Sequence, residues 1–226
     1  LGFVGDAIRL VRKEIDGKVP LVGFAGAPFT LSSYMIEGGK SRDFTTTKLM
    51  MYEAPDVWNL LMEKVCVMLV DYLKMQVNAG AQALQIFDSW VGCLSPHDYK
   101  KYIMPHLKGV FAELKKLGVP VINFSTGTST MLDTVQQAGG DVLSFDWRIE
   151  IDEARKILGA GQPVQGNLDP VTLFAPLPVI RERVHDILRR AGPKGHIFNL
   201  GHGILQHTPV DHVKAVAEMV HEFKYE

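Results

Sequence analysis

The residues of this chain that could carry chemistry stand in small clusters of glycine and polar residues, and each cluster follows a short apolar run. Six such clusters occur: Gly26-Ala27-Pro28, Asp88-Ser89, Ser125-Thr126-Gly127, Asp146-Trp147, Gly166-Asn167-Leu168-Asp169 and Gly201-His202-Gly203. Buried parallel strands have continuous apolar sequences, and the loops that leave them carry the binding and catalytic groups in folds of this kind. The repetition therefore predicts polar clusters that line one mouth of a parallel α/β fold, and it indicates an enzyme or a ligand-binding protein.

His202 is the residue best suited to ligand contact. It stands between Gly201 and Gly203 directly after an apolar run, where its small neighbours leave room for a ligand to approach the backbone. The alternative is a histidine that hydrogen-bonds a neighbouring carbonyl group. The local pattern favours ligand contact.

Two further positions offer polar groups beside aromatic rings. Tyr34 follows the first cluster, and its phenol can donate a hydrogen bond to a carboxylate or act as a weak acid. An amphipathic tyrosine on a helix surface explains Tyr34 equally well. Phe87, Asp88 and Ser89 end the second apolar run. Because strand residues alternate between faces, we expect one or two of these three to face the mouth.

Other polar residues of the clusters have structural explanations. Asn167 and Asp169 belong to a tight turn before Pro170, and their side chains are expected to cap backbone amides. Asp146 fits either a helix cap or a buried polar contact. The loop 125–129 is rich in hydroxyl groups, but composition alone is weak support for a phosphate site.

Metal and nucleotide motifs are absent from the sequence. The eight histidines form no His-Glu-x-x-His pattern, and neither Cys66 nor Cys93 has a second ligand at metal-binding spacing. No glycine-rich dinucleotide or Walker loop occurs. The sequence therefore gives only weak support for a metal site.

Composition excludes several classes of protein. The 226 residues suffice for one barrel-sized domain, and 24 basic against 25 acidic residues argue against a nucleic-acid partner. Two cysteines make no disulfide framework, so reduced thiols in a cytoplasmic or organelle-matrix protein are expected. The run from Val65 to Val70 is too short to span a membrane. Because the chain starts at Leu1 rather than Met, we expect a segment upstream of it.

Strand-like runs alternate with helix-like stretches along the whole chain. The predicted strands are 20–25, 83–87, 119–124, 142–145, 163–165 and 196–200. The predicted helices are 56–78, 95–116 with a kink at Pro105, 132–138, 152–158, 178–191 and a last one that opens at 208–211. Such regular alternation without a linker predicts one α/β domain with a parallel sheet, closed as a barrel or doubly wound.

Four segments in order resemble uroporphyrinogen decarboxylase. They are 22–31 with 34–39, 80–89, 166–170 and 199–203, and the resemblance runs from Leu1 to the C-terminus. It implies a (β/α)8 TIM-type barrel, of which this chain supplies about six βα units in a single domain over 1–226. It also implies a homodimer that acts without a cofactor, is cytoplasmic or plastidic, and binds no membrane.

The resemblance further implies an activity and the residues that serve it. Family members remove the four acetate carboxyl groups of uroporphyrinogen III and form coproporphyrinogen III in haem and chlorophyll synthesis. By this resemblance Tyr34, Ser89 and His202 meet the polar groups of the substrate, while Phe24 and Phe87 line the cleft.

One family feature has no counterpart in this chain. Family members begin with an Arg-Gln-Ala-Gly-Arg segment and a strand that ends in the catalytic aspartate, and the sequence contains neither. The catalytic residue is therefore unknown here, and the chain by itself is expected to be poorly active. An inactive porphyrinogen-binding fragment is one alternative. Another is a zinc- or cobalamin-linked methyltransferase, whose His-x-Cys ligand spacing Cys66 and Cys93 lack.

Overall fold

Strands and helices alternate in a computed structural model that describes residues 1–15, 17–39 and 41–225. The strands are β1 (Val22–Gly26), β2 (Ala83–Asp88), β3 (Val121–Ser125), β4 (Val142–Phe145), β5 (Val164–Leu168) and β6 (His196–Leu200). The α-helices are α1 (Gly2–Glu14), α2 (Pro28–Glu37), α3 (Thr45–Glu53), α4 (Pro55–Asn78), α5 (Pro96–Asp98), α6 (Met104–Lys115), α7 (Leu132–Ala138), α8 (Ile151–Leu158), α9 (Leu177–Ala191) and α10 (Val210–Glu222). All six predicted strands are present, with boundaries that differ from prediction by up to three residues.

The chain forms two compact units. The first comprises Leu1–Ser125 and Thr134–Asp141, and the second comprises Thr126–Asp133 and the residues from Val142 onward. The expectation of a single barrel domain over 1–226 stays a prediction.

Three parallel strands and the helices around them form the first unit. β1 pairs with β2 and β2 pairs with β3, in a register that sets Gly26 beside Phe87 and Phe87 beside Phe124. Trp58 of α4 is fully buried against Phe29 of α2, with ring centroids 6.2 Å apart, and the Trp58 indole N–H donates to a backbone carbonyl. Burial of large apolar side chains such as these supplies the main stabilising term of a fold.

The second unit has the same construction. β4 pairs with β5 and β5 pairs with β6, again in parallel. Phe145, Leu173 and Ile180 belong to a buried apolar cluster between these strands and helices α8 to α10. The α/β alternation that the sequence predicts is therefore found in both units.

β1 and β6 differ from the continuously buried strands that the sequence predicts. β3, β4 and β5 are buried along their length, whereas β1 and β6 alternate between less and more exposed residues. Phe24 is 62% exposed, while Ala25 beside it is buried. The exposed residues of β1 lie on one face because side chains alternate along a strand.

The predicted kink at Pro105 takes the form of a π turn. α5 runs into five π-helical residues, Tyr99–Ile103, before α6 begins at Met104. Pro105 has no N–H to donate to the preceding turn and its ring crowds that turn, so the backbone widens there. The predicted helix 95–116 is therefore correct in extent but interrupted.

Three helices, α1, α2 and α3, were not predicted from the sequence. Phe3 and Leu10 of α1 are exposed, so the helix shows no simple buried apolar face. The start of α3 is rich in threonine, which has low helix propensity. A carboxylate oxygen of Glu37 accepts hydrogen bonds from both the N–H and the hydroxyl of Thr47, each at 2.9 Å, and this contact stabilises the first turn. Within the residues that the structure describes, no helix combines the length and apolar character needed to cross a membrane.

Two substitutions in α4 test the packing of the first unit. Leu69 is fully buried and Val67 is 64% exposed. We expect Leu69→Ala to lower the free energy of unfolding by about 2–5 kcal/mol, because it leaves a cavity, and Val67→Ala to change it by less than about 0.5 kcal/mol. Urea unfolding followed by circular dichroism measures both. Equal effects would contradict the packing of α4.

Candidate functional site

Aromatic side chains line the ends of the first three strands. The rings of Phe24 and Phe87 meet edge to face with centroids 5.8 Å apart, and Phe87 meets Phe124 in the same way at 5.3 Å. Phe24 is largely exposed, so its ring presents an apolar surface to solvent. The two phenylalanines that the sequence analysis named are thus neighbours. Their role as walls of a cleft stays a prediction.

Tyr34 packs against Trp90, the residue that follows Ser89 in the chain. The rings of Tyr34 and Trp90 meet edge to face with centroids 6.2 Å apart, and Trp90 follows Ser89 directly in the chain. The Tyr34 side chain is about half exposed, at 46%. Trp90 also packs on Phe44, with centroids 5.5 Å apart. The sequence analysis missed Trp90, although an aromatic residue directly after Ser89 was a usable signal.

Asp88 links α2 to the end of β2. It is 2% exposed, and its Oδ1 accepts a hydrogen bond from the Thr30 hydroxyl at 2.9 Å. The N–H of Ala27 donates to the carbonyl oxygen of Phe87 at 2.8 Å and strengthens the same junction. Because Tyr34 lies on α2 and Ser89 follows β2, these contacts determine how the two residues are placed relative to each other. Thr30 was not singled out from the sequence.

The environment of Asp88 disfavours its charged form. Burial raises the pKa of its carboxyl group to about 7, although hydrogen bonds from the Thr30 hydroxyl and backbone act in the opposite direction. Its Oδ2 has no hydrogen-bond partner within the described part of the chain. The same buried group raises the pKa of the Tyr99 phenol, which is itself raised mainly by burial. Asp88 is therefore largely protonated below neutral pH.

Asp146 organises the loops of the second unit. Its Oδ2 accepts hydrogen bonds from the Gly127 N–H at 2.7 Å and from the Arg148 guanidinium, and its Oδ1 accepts from the Arg148 N–H at 3.1 Å. The carboxylate is 2% exposed. Of the two roles that the sequence left open, a buried polar contact is the one observed. The N-cap of α8 is Glu150 instead.

Asn167 and Asp169 have structural roles, as the sequence predicts, but only Asp169 caps a backbone amide, and Asn167 lies within β5. The Asn167 amide donates to the carbonyl oxygens of Asp146 and Ile149, at 3.0 and 2.7 Å. The Asp169 carboxylate accepts from the N–H of Val171 at 2.9 Å and caps a short 3₁₀ helix, Pro170–Phe174. These side chains hold the backbone of the loops in place.

His202 lies on an exposed loop packed closely against another. Gly201 donates its N–H to the carbonyl oxygen of Leu168 at 2.7 Å. A Cβ atom on Gly201 would lie 2.8 Å from a ring carbon of Trp147 and 2.9 Å from its backbone nitrogen. Only glycine, which has no Cβ atom, lets the backbone at position 201 approach Trp147 this closely. His202 belongs to the second unit, whereas Tyr34 and Ser89 belong to the first, so the convergence of all three stays a prediction.

The cysteines have protonated thiols. Burial is the main reason that the pKa of Cys66 is raised to about 11, and the same holds for Cys93. Neither is in a disulfide. Among residues 1–15, 17–39 and 41–225, no group of three or more His, Cys, Asp or Glu side chains is arranged to hold a metal ion.

Comparison with known proteins gives concordant results. The family model described as uroporphyrinogen decarboxylase (URO-D) matches residues 1–223. Uroporphyrinogen decarboxylase from Carboxydothermus hydrogenoformans is 55% identical over 97% of this chain and 63% of that protein. The enzyme of the same name from Sorangium cellulosum is 52% identical over 98% of this chain and 64% of that protein. The chain thus spans less than two thirds of the length of these curated relatives.

A solved structure shows the same fold at low sequence identity. A methyltransferase from Methanosarcina mazei matches with a TM-score of 0.81 and 20% identity, over 97% of this chain and 63% of that one. At this identity the likeness shows the fold alone, and the names of the closer relatives do not favour the methyltransferase alternative. The predicted fold class, α/β with about six βα units of a (β/α)8 TIM-type barrel, is confirmed.

The raised pKa of Asp88 predicts a specific pH dependence of stability. Between its ordinary value of 3.8 and about 7, the folded protein holds a proton that the unfolded chain has released, so stability falls as pH rises through this window. Asp88→Asn removes that dependence. We expect the unfolding free energy of the variant, relative to the parent, to rise by about 4 kcal/mol from pH 4 to pH 8.

Urea unfolding at both pH values measures this difference. The exposed Asp71→Asn serves as the matched control, and its difference from the parent should stay within about 0.5 kcal/mol at either pH. A constant difference between Asp88→Asn and the parent would show that Asp88 is ionised in the folded protein as readily as in the unfolded chain.

The close approach at Gly201 predicts that alanine destabilises the protein at position 201 but not at position 203. Gly201→Ala forces a methyl group against backbone atoms and should cost about 1–3 kcal/mol of unfolding free energy. Gly203→Ala is the control, because a Cβ atom there meets nothing within 4 Å. Thermal unfolding of the two variants provides the measurement. Equal loss in both would disprove the packing of this loop.

Proposed function

The chain belongs to the uroporphyrinogen decarboxylase family, and we propose that the protein removes the four acetate carboxyl groups of uroporphyrinogen III to give coproporphyrinogen III. The observation that carries this proposal is the family match over residues 1–223. It is joined by the ring contact of Tyr34 with Trp90, the residue that follows Ser89 in the chain. The reaction requires no cofactor in this proposal.

The chemistry sets clear demands on the site. Each step replaces a carboxylate by a proton, so that an acetate side chain and one proton give a methyl group and carbon dioxide. Protonation of a pyrrole carbon creates an iminium-like ring that accepts the electron pair left by the departing carbon dioxide. The protein must stabilise this cation, exclude water and hold the remaining carboxylates.

Hydrogen-bond donors for the substrate carboxylates come from three residues in this proposal. The Tyr34 phenol, the Ser89 hydroxyl and an N–H of the His202 imidazole each donate to a carboxylate oxygen. The half-exposed ring of Tyr34 and the exposed loop of His202 support these roles, because both side chains are reachable from solvent.

Phe24 and Phe87 supply the apolar wall. The flat rings of the substrate need an apolar surface, and the edge-to-face pair at the end of β1 and β2 offers one. Neither Asp88 nor Asp146 is proposed as the group that stabilises the protonated pyrrole. Both are 2% exposed, and their hydrogen bonds are directed at the protein.

The proposal extends to assembly and location. A homodimer in the cytoplasm follows from the family resemblance and from the bacterial origin of the relatives named above. Sedimentation of the purified protein measures whether it is a homodimer.

Three single substitutions test the donors. His202→Asn, Tyr34→Phe and Ser89→Ala are made in the protein joined to the N-terminal segment that family members carry. Each removes one polar contact, and each should lower kcat/KM for uroporphyrinogen III by roughly tenfold to a thousandfold. Chromatography of the oxidised products under anaerobic assay conditions gives the rates. His207→Asn, an exposed histidine of the same loop region, is the control and should leave turnover unchanged.

Two results would contradict the proposal. Parent-level kinetics in all three variants would remove these residues from the site. If the parent protein, joined to that same N-terminal segment, binds uroporphyrinogen without turning it over, the porphyrinogen-binding alternative is supported instead.

A further inference from the structure

Arg148 lies close to the carboxyl end of β4 and is held in place from two sides. Its Nη1 donates to the buried carboxylate of Asp146, and its guanidinium carbon lies 4.8 Å from the ring centroid of Trp147. The Arg148 side chain is nevertheless 53% exposed. A guanidinium that is fixed by a carboxylate and an aromatic ring loses little further freedom when it binds a ligand.

The guanidinium has more donors than its contact with the Asp146 side chain uses. An arginine has five N–H groups in a planar fork, and the contact with Asp146 uses Nη1. The Asp146 carboxylate also accepts from two backbone N–H groups, of Gly127 and of Arg148 itself. These two donors share in stabilising the negative charge of Asp146. The exposed edge of Arg148 can therefore bind a second carboxylate by paired, charge-assisted hydrogen bonds.

Arg148 belongs to the loop against which the His202 loop packs. The Cα of Gly201 lies so close to Trp147 and Asp146 that a Cβ atom there would be 2.9 Å from the Trp147 nitrogen and 3.0 Å from the Asp146 Cα. Gly201 directly precedes His202, and Trp147 directly precedes Arg148. The two loops thus bring a histidine and an arginine to the same end of β4 and β6.

Two other arginines of the second unit are engaged elsewhere. Arg155 donates to the carbonyl oxygens of Ala191 and Lys194, at 2.9 and 3.0 Å. Arg190 pairs with Asp186 at 2.9 Å and also with Asp152. These side chains extend from α8 and α9 rather than from the loops that leave the strands. Arg148 differs from them by its position at a strand end.

We propose that Arg148 binds a side-chain carboxylate of the tetrapyrrole substrate beside the group bound by His202. This inference rests on the proposed function, since it names a residue that holds the same polycarboxylate. The ligand carboxylate belongs either to an acetate group, which the reaction removes, or to a propionate group, which remains in the product. Both groups offer the same pair of carboxylate oxygens to the guanidinium.

Two variants and two ligands test the inference. Arg148→Met removes the fork, whereas Arg148→Lys keeps a cation beside Asp146 but loses the planar pair of donors. Binding of uroporphyrin and of coproporphyrin, which lacks the acetate groups, is measured by porphyrin fluorescence. We expect Arg148→Met to weaken uroporphyrin binding about tenfold to a hundredfold, with a smaller loss for Arg148→Lys. In the protein joined to the N-terminal segment that family members carry, the KM for uroporphyrinogen III should rise by a similar factor while kcat changes by less than about threefold.

The ligands distinguish the source of the carboxylate. Loss of affinity for uroporphyrin alone assigns an acetate to Arg148, and equal loss for both ligands assigns a propionate. Lys156→Met, which removes an exposed cation of α8, is the control and should leave both affinities unchanged.

A purely structural role for Arg148 predicts a different pattern. If Arg148 serves only to neutralise Asp146, the variants lower the melting temperature but leave both affinities and KM at parent values, and that result would overturn the inference. A parent protein that neither binds uroporphyrin nor turns over uroporphyrinogen would refute the proposed function and, with it, this inference. If the parent protein is active and the Arg148 variants have unchanged affinities and KM, the inference is refuted while the proposed function stands.

Discussion

Carboxylates buried at the carboxyl ends of strands impose the constraint on which the candidate site depends. A carboxylate removed from water must either find donors or hold a proton. Asp88 and Asp146 are each 2% exposed, and the donors that they require come from neighbouring loops and helices. Thr30 brings α2 to Asp88, while Gly127 and Arg148 bring their loops to Asp146. The positions of the predicted ligand-binding residues follow from these contacts.

The two carboxylates meet this constraint in different ways. Asp146 accepts hydrogen bonds from two backbone N–H groups and from a guanidinium. Asp88 has the Thr30 hydroxyl and backbone, but its second oxygen has no partner among the described residues, and burial raises its pKa to about 7. One strand end is thus arranged around an ion pair and the other around a carboxyl group that holds its proton below neutral pH. The second unit presents the Arg148 guanidinium at its surface, and the first unit presents the ring of Phe24.

The fold of this chain does not by itself determine its function. The Methanosarcina mazei methyltransferase has nearly the same backbone over this chain at 20% identity, so the arrangement of strands is compatible with more than one chemistry. Function is decided by side chains on the loops that leave the strands. In this chain the predicted ligand-binding residues Ser89 and His202 lie on such loops, and Tyr34 lies on α2. The thiols of Cys66 and Cys93 have pKa values raised by burial and are poor metal ligands in that state.

The amino-acid sequence by itself determined the α/β class, the six strands and the family, because apolar runs and the segments around Tyr34, Ser89 and His202 are local signals. It did not reveal Thr30, Trp90 or Arg148, whose contacts depend on elements that are distant in sequence or on a loop conformation. Nor could it decide whether Asp146 caps a helix or makes a buried contact, since both roles use the same residue type. Only the tertiary structure showed that Asp88 is enclosed with one partner and Asp146 with several. Burial and hydrogen-bond partners are properties of the packed chain, and they set the charge of these groups.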